Sequence, residues 1–549
     1  MEDRLNDRRG RFREYLVFYF FAFVLVAAGN WLRGAHESGL GSFDDEPSHV
    51  VTGLLVADFV VADDLSDPMA FAKTYYLHYP KVALGQWPPV FYCLIAAWVH
   101  AFGATVISLI GLMTALTAAA GTLVYATLRR EDDRWTALTF AAIFLALPLV
   151  QKLGSAVMTE VPLALFGFGA CLAFVRFLET RRLSALIAFG ALAVASIMTK
   201  GNGLALMFVP LLAIALTRSW DVLKRPGLWG VGLGIGALTM PWYLWTLSTA
   251  RGTWEGGSSP SWEYVSQSTS FHLTGLFLTG GLVLGALGVL GLVVLPRRES
   301  RERFEWAAAV SWLVGVLAIH ALVPSSIEAR HQVLMLPAFV VLAGRGFAIM
   351  GEWLPTPRLK VATLACVPVL FLMQGFGLPV RHNMGFRAMA SELLADARFD
   401  DSVFLIASDP IGEGLFITAV ALTEERPGHV VLRGTKVLAR SDWMGRDYTL
   451  AHTSDQELTA FMKEVPVGIV VIDHSCPSRR LRQHQNQLYS HVRRHRELWQ
   501  KLGAFDVERD GEVHRDALEV YRQVDHEHRT PMVLDPEWVL GRALPSLPR

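Results

Sequence analysis

The sequence predicts an α-helical polytopic membrane protein that ends in a small α/β domain, and three observations predict it. Of 549 residues, 52% are hydrophobic and only 18% charged, a balance uncommon in soluble domains. Apolar runs long enough to cross roughly 30 Å of hydrocarbon recur from residue 15 to about residue 380. Past residue 381 polar and charged residues return, and no further run has spanning length.

The elements follow in order. The chain opens on a basic stretch with Arg4, Arg8, Arg9, Arg11 and Arg13. The first apolar run, Tyr15 to Trp31, lacks a small-residue cleavage site and reads as a retained helix. Ten more runs follow, at about 105–127, 135–152, 160–177, 183–199, 203–217, 227–248, 272–295, 306–323, 331–350 and 360–380. The stretch 88–103 is short, opens on Pro88-Pro89 and carries His100. Charge decides how it lies. If it rests flat in the interface, the segments on the N-terminal side collect Arg129, Arg130, Arg134, Arg181, Arg182, Lys224, Arg225, Arg297, Arg298, Arg358 and Lys360. The opposite loops then hold few cations, among them Lys81, Lys200 and Arg330. That is a positive-inside pattern, and a spanning 88–103 would destroy it. The expectation is therefore about eleven spans, a cytoplasmic N-terminus and a location in the inner or plasma membrane. The membrane domain covers 1–380, with a first external loop at 33–104. An extracytoplasmic α/β domain and tail cover 381–549.

Within that domain Ser402–Ala407, His429–Leu432 and Val467–Ile472 read as buried strands. Phe386–Ala397 and Asp455–Lys463 read as helices between them. The stretch from about Asp525 is polar and Pro-rich. A formal net charge of zero gives no basic balance for nucleic acid. The four cysteines suggest no disulfide framework.

The chemistry-bearing residues fall on the external side. Phe43-Asp44-Asp45-Glu46-Pro47-Ser48-His49 follows the first span. Three adjacent carboxylates at a membrane surface are costly if even partly desolvated, and the functional reading is a general base or a metal-binding carboxylate. Pro47 suits a first helical turn, which places Asp45 and His49 about one turn apart. The plain alternative is a solvated acidic helix start. Tyr75 to Lys81, including Tyr79, and then Gln86-Trp87-Pro88-Pro89 form an aromatic, proline-rich stretch. It suits either an aromatic belt or a rigid wall for a lipid-linked sugar. Glu160, Lys200, Glu328, Arg330 and His331 stand at span edges on the same side. Each alone is compatible with harmless snorkelling. His320 and Arg345, inside helices, read as structural.

The order and common sidedness of these motifs resemble the membrane glycosyltransferases of the C-type (GT-C) fold. The branch is that of the protein O-mannosyltransferases and aminoarabinose lipid A transferases. The carrying residues are Asp45-Glu46, Trp87-Pro88-Pro89, Thr159-Glu160-Val161-Pro162, Thr199-Lys200-Gly201 and Glu328-Ala329-Arg330-His331. The resemblance implies transfer of a sugar from a polyprenyl-phosphate-linked donor to an extracytoplasmic acceptor. It implies Asp45 as base with Glu46 assisting, and Lys200, Arg330 and His331 on the donor phosphate. His49, Tyr79, Lys81, Trp87, Glu160 and Glu328 are the expected substrate-binding residues. The sequence departs from the pattern in three places. His49 stands three residues after Glu46, where the mannosyltransferases place a His two residues after the Glu. An extra Asp44 makes either Asp44 or Asp45 eligible as base, and Gln86-Trp87 replaces a Glu-Lys before the double proline. Sugar and acceptor therefore do not carry over. No cofactor is implied. A divalent metal is compatible with the chemistry, but no ligand spacing demands one. The rival reading is a multi-pass transporter or flippase without transferase activity.

Overall fold

A computed structural model describes residues 2–130, 134–249, 261–297, 300–324, 326–351, 383–400, 402–440, 447–478 and 480–524. The expected span at 360–380 and the tail from 525 lie outside the described residues. Contacts group the chain into two compact units. One comprises Met1–Arg33, Gly85–Phe91 and Ile110–Leu378; the other comprises Gly34–Leu84, Tyr92–Leu109 and Pro379–Arg549.

The first unit is helical. Five of its described helices are long and apolar enough to cross a membrane: Gly10–Leu32, Val106–Leu128, Glu160–Thr180, Trp262–Val293 and Glu302–Leu322. Proline breaks one of the other expected spans, and two more open on a 3₁₀ segment. Arg134–Ala146 and Pro148–Gly154 are bent by 63° at Leu147, because a residue before proline is driven out of the helical region. The expected 203–217 span is a 3₁₀ segment, Gly201–Met207, followed by helix Val209–Thr217 with Pro210 in its first turn. The expected 331–350 span repeats the pattern. Here 3₁₀ segment Ala329–Leu334 precedes helix Leu336–Gly351, which contains Pro337.

Small residues let these helices approach closely. A Cβ at Gly291 would lie 1.9 Å from the Leu342 carbonyl oxygen, and one at Gly346 would lie 2.0 Å from that of Leu287. Arg345 ties the same crossing, donating to the Gly291 carbonyl and to Glu302. That is the structural role its place in a helix suggested.

The second unit joins the loop after the first span to the C-terminal domain. Val403–Ala407 (β1), Val431–Arg433 (β2), Ala439–Arg440 (β3), Thr449–Leu450 (β4), Val467–Asp473 (β5), Trp499–Arg509 (β6) and Glu512–Gln523 (β7) are its strands. Five of them form one sheet in the order β2-β1-β5-β7-β6. β1 pairs in parallel with both β2 and β5, and β7 runs antiparallel to β5 and β6. β1 and β5 are buried along their whole length, as the unbroken apolar runs VFLIA and VGIVVI require. Asp510-Gly511 turns the β6–β7 hairpin with φ of 53° and 85°, the pairing a two-residue hairpin turn favours.

The loop contributes helices Glu46–Phe59, Pro68–His78 and Val90–Phe102. The last has 13 residues, about 20 Å at the helical rise, which is short of a bilayer crossing. Several contacts hold the loop to the domain. Asp58 takes two hydrogen bonds from Arg426, at 2.8 and 3.1 Å, and one from the Tyr75 hydroxyl at 2.8 Å. Asn383 donates to the Gly41 carbonyl at 2.7 Å. Gly414 lets helix Pro410–Thr423 approach Pro47 and Lys81, which an added Cβ would meet at 2.8 and 2.9 Å.

Candidate active site

In the helical unit, three chain breaks deliver charge to one point. Glu160 is the first residue of the Glu160–Thr180 helix and is fully buried. Its negative charge also suits a helix N-terminus. Lys200 and Glu328 are the extended residues that precede the two 3₁₀ segments. Lys200 Nζ donates to Glu160 Oε1 at 2.6 Å. Arg330 Nε lies 3.8 Å from the same oxygen. It is also 2.9 Å from Glu328 Oε2, on a side chain that is 40% exposed. The buried part of this group therefore sets two cations around one carboxylate. Such a group is held only if charges and hydrogen bonds compensate desolvation.

His331 is buried next to it, its ring 5.2 Å from that of His320, which in turn is 4.6 Å from His272. His320 Nδ1 faces the Val316 carbonyl at 2.8 Å and so acts as donor. Nε2 is then left to accept from the Asn202 amide at 3.0 Å. Asn202 and His272 were not singled out in the sequence, and His320 was read as purely structural. Asn202 lies two residues after Lys200, so the Lys-Gly-Asn string was the available signal.

The second unit sorts the acidic triplet. Asp44 is exposed (60%), with Oδ1 3.7 Å from Arg480 Nη1. Asp45 stands half-buried at the N-cap of the Glu46–Phe59 helix. Glu46 is fully buried, and its carboxylate accepts the Ser42 N–H at 2.7 Å. His49 is buried one turn on, with Nδ1 3.1 Å from the Tyr92 hydroxyl.

Lys81 is buried in the same unit. Burial first, then the Arg433 guanidinium, push its ammonium down to about 8, against the pull of Glu413, Asp44 and Asp45. Glu413 is itself held by Arg433 Nε at 2.8 Å and by the Thr435 amide at 2.7 Å. The Tyr79 hydroxyl donates to Glu424 at 2.6 Å and accepts the Gly428 N–H at 3.0 Å. It is thus committed to joining loop and domain. Trp87 is half-buried and belongs to the helical unit. Arg433, Glu413 and Arg480 entered through the fold alone, since they lie hundreds of residues from the loop they touch.

Among the described residues, two side-chain groups have ligand atoms close enough to share a metal ion, and neither contains an expected site residue. One is Asp409, Asp473 and Cys476. Arg509 and Arg480 already neutralise it, and burial with the nearby Asp473 charge pushes the Cys476 thiol up to about 12. The other is Asp455, His491 and His495.

Residues 86–245 match the family model described as dolichyl-phosphate-mannose-protein mannosyltransferase. That segment includes Trp87, Glu160 and Lys200. ArnT of Cupriavidus metallidurans bound to undecaprenyl phosphate superposes with a TM-score of 0.52 at 14% identity, covering 94% of this chain and 99% of that one. The chain has the C-type glycosyltransferase fold. The apo state of the same ArnT gives a TM-score of 0.51 at 14% identity, covering 93% and 98%. No curated protein sequence matches this chain. The resemblance carried by the motifs is borne out: this is a multi-pass membrane protein of GT-C architecture with a small C-terminal sheet domain.

Proposed function

We propose that this GT-C protein transfers a sugar from a polyprenyl-phosphate-linked donor to a hydroxyl acceptor on the extracytoplasmic side of the inner or plasma membrane. The observation that carries the reading is the buried Glu160–Lys200–Arg330 group on this fold. Negative charge grows on the departing lipid phosphate, and Lys200 and Arg330 are the cations that receive it. Glu160 keeps both in place while the site is empty, and His331 adds a donor. The match to a mannosyltransferase family over 86–245 and the undecaprenyl phosphate carried by ArnT support a lipid-phosphate donor.

Asp45 takes the acceptor hydroxyl proton, with Glu46 as its buried support. The acceptor oxygen bonds to the anomeric carbon, the bond from that carbon to the phosphate oxygen breaks, and the electron pair leaves with the lipid phosphate. A single displacement inverts the anomeric centre. The N-terminus is cytoplasmic and the 381–549 domain external in this reading, with eleven spans.

The test uses the full chain in liposomes with a panel of radiolabelled polyprenyl-phosphate sugars. Wild type releases polyprenyl phosphate from one of them, and Lys200→Ala and Arg330→Ala release it roughly 10²–10³-fold more slowly. A transporter would also tolerate helices broken at 201–217 and 329–351. It would move the donor with the sugar–phosphate bond intact, and that outcome would defeat the transferase reading.

A further inference from the structure

A group in the α/β domain plays no part in the proposed transfer. Asp455 is the first residue of helix Asp455–Glu464, whose N-cap is Ser454. His491 lies in the last turn of helix Gln483–Arg494, and His495 is that helix's C-cap, four residues on. The four-residue spacing sets both imidazoles on one side of the helix end, with ring centroids 4.7 Å apart. His491 Nδ1 lies 3.0 Å from Asp455 Oδ1, and His495 Nε2 lies 2.6 Å from Asp455 Oδ2. The far nitrogen of His495, Nδ1, lies 3.0 Å from Glu497 Oε1. This chain of carboxylate, imidazole and inward-facing nitrogen is the arrangement that orients a metal-ligating histidine.

We propose that Asp455, His491 and His495 form a site for a divalent transition metal of the zinc class, with Glu497 orienting His495. Two imidazole nitrogens and one carboxylate oxygen are a borderline ligand set that suits Zn²⁺, with a fourth position left for water. The three ligand atoms lie within 4.8 Å of one another. Bond lengths of about 2.1 Å in a tetrahedral shell separate ligand atoms by roughly 3.4 Å. The present contacts therefore need to open by less than about 1 Å to admit the ion.

Hydrogen-bond accounting favours the metal over a fully protonated pair. His491 is buried, and its Nε2 has no hydrogen-bond partner among the described residues. A charged imidazolium there would leave a cationic N–H unpaired, which costs more than the neutral N–H of a ligand bound through Nδ1. Arg494 Nη1, 3.5 Å from Asp455 Oδ1, competes for the carboxylate, but its side chain is 60% exposed and can turn to solvent. The bound ion clips the start of one helix to the end of another inside the domain. Its role is to stabilise the domain.

The test strips the detergent-purified full chain with a chelator and titrates it with ZnCl₂ at neutral pH, following calorimetry and thermal unfolding. Wild type binds one ion that His495→Gln and Asp455→Asn weaken by at least about 100-fold, and Glu497→Gln by roughly 10-fold. A fixed excess of zinc raises the unfolding temperature of wild type most, of Glu497→Gln less, and of His495→Gln and Asp455→Asn least. As a readout independent of stability, Co²⁺ gives visible ligand-field bands in wild type that His495→Gln removes. Zinc binding and Co²⁺ bands that are the same in wild type and His495→Gln would overturn the site, as would a stripped wild-type chain that takes up no zinc.

Discussion

Glu160 and Asp45 are both carboxylates at the start of a helix, and their surroundings differ. Glu160 is fully buried, with Lys200 bonded to one oxygen and Arg330 near it. Asp45 is half-buried in an acidic triplet whose neighbours have separate duties. Asp44 faces solvent and Arg480, and Glu46 turns inward to the Ser42 amide. A carboxylate clamped by two cations serves as an anchor. Asp45 has acids on either side and the buried Lys81 within electrostatic reach, the surroundings in which the proposed base role is to be tested. The comparison teaches that position at a helix start does not define a role; the charges packed against it do.

The largest effect that can break this comparison comes from the clamp. Lys200→Ala leaves buried Glu160 with only the longer Arg330 contact, and breaking such a pair costs about 3–5 kcal/mol. Chemical unfolding should show that loss together with the slowed donor turnover, whereas Lys200→Met with Glu160→Gln should recover most of the stability and none of the turnover. Recovery of turnover in the double variant would remove the cation from the leaving-group role.

A smaller effect tests the loop as part of the second unit. Asp58→Asn weakens the paired Arg426 contact and the Tyr75 hydrogen bond, and should lower stability by about 1–3 kcal/mol. Proteolysis should then cut the 34–84 loop faster. Unchanged cleavage would mean that this contact does not hold the loop.

A pH effect is smaller still. Burial alone would lower His429, but its hydrogen bond and charge pairing with Glu424 outweigh burial and raise it. A raised histidine stabilises fully below its unfolded value near 6.5, and that contribution is lost as pH rises through the folded value. The stability gap between wild type and His429→Gln should therefore shrink from pH 6 to pH 8. A gap that widens would reverse the sign of the pairing. The smallest effect is expected at Asp44→Asn. Its exposure predicts a stability change within about 0.5 kcal/mol, with turnover retained if Asp45 is the base.

Much of the architecture was legible because membrane spans and fully buried strands leave unbroken apolar runs. β1 and β5 stood out for that reason. The β6–β7 hairpin did not, because its strands are half-exposed and carry many charges, although Asp510-Gly511 marked its turn. Pro148 marks the bend at Leu147, but the apolar run around it masks that local effect. In the site, Glu160, Lys200 and Arg330 were legible as charges at span edges. Their meeting was implied by the family resemblance and not by any local pattern, since it depends on how three separated helices pack. The partners that the C-terminal domain lends to the first loop, Arg426, Arg433 and Arg480, carry no local pattern that ties them to it. The four-residue spacing of His491 and His495 did not stand out as a ligand pair, because Asp455 joins them only through the fold.

The central claim rests on Asp45, and the most direct measurement is sugar transfer by Asp45→Asn in liposomes, with helical content and unfolding followed in parallel. Losing a positioned base costs roughly 10²–10⁴-fold in rate, so the account predicts a folded protein that still binds polyprenyl phosphate and transfers almost nothing. A folded Asp45→Asn variant that retains most of the wild-type transfer rate would contradict it.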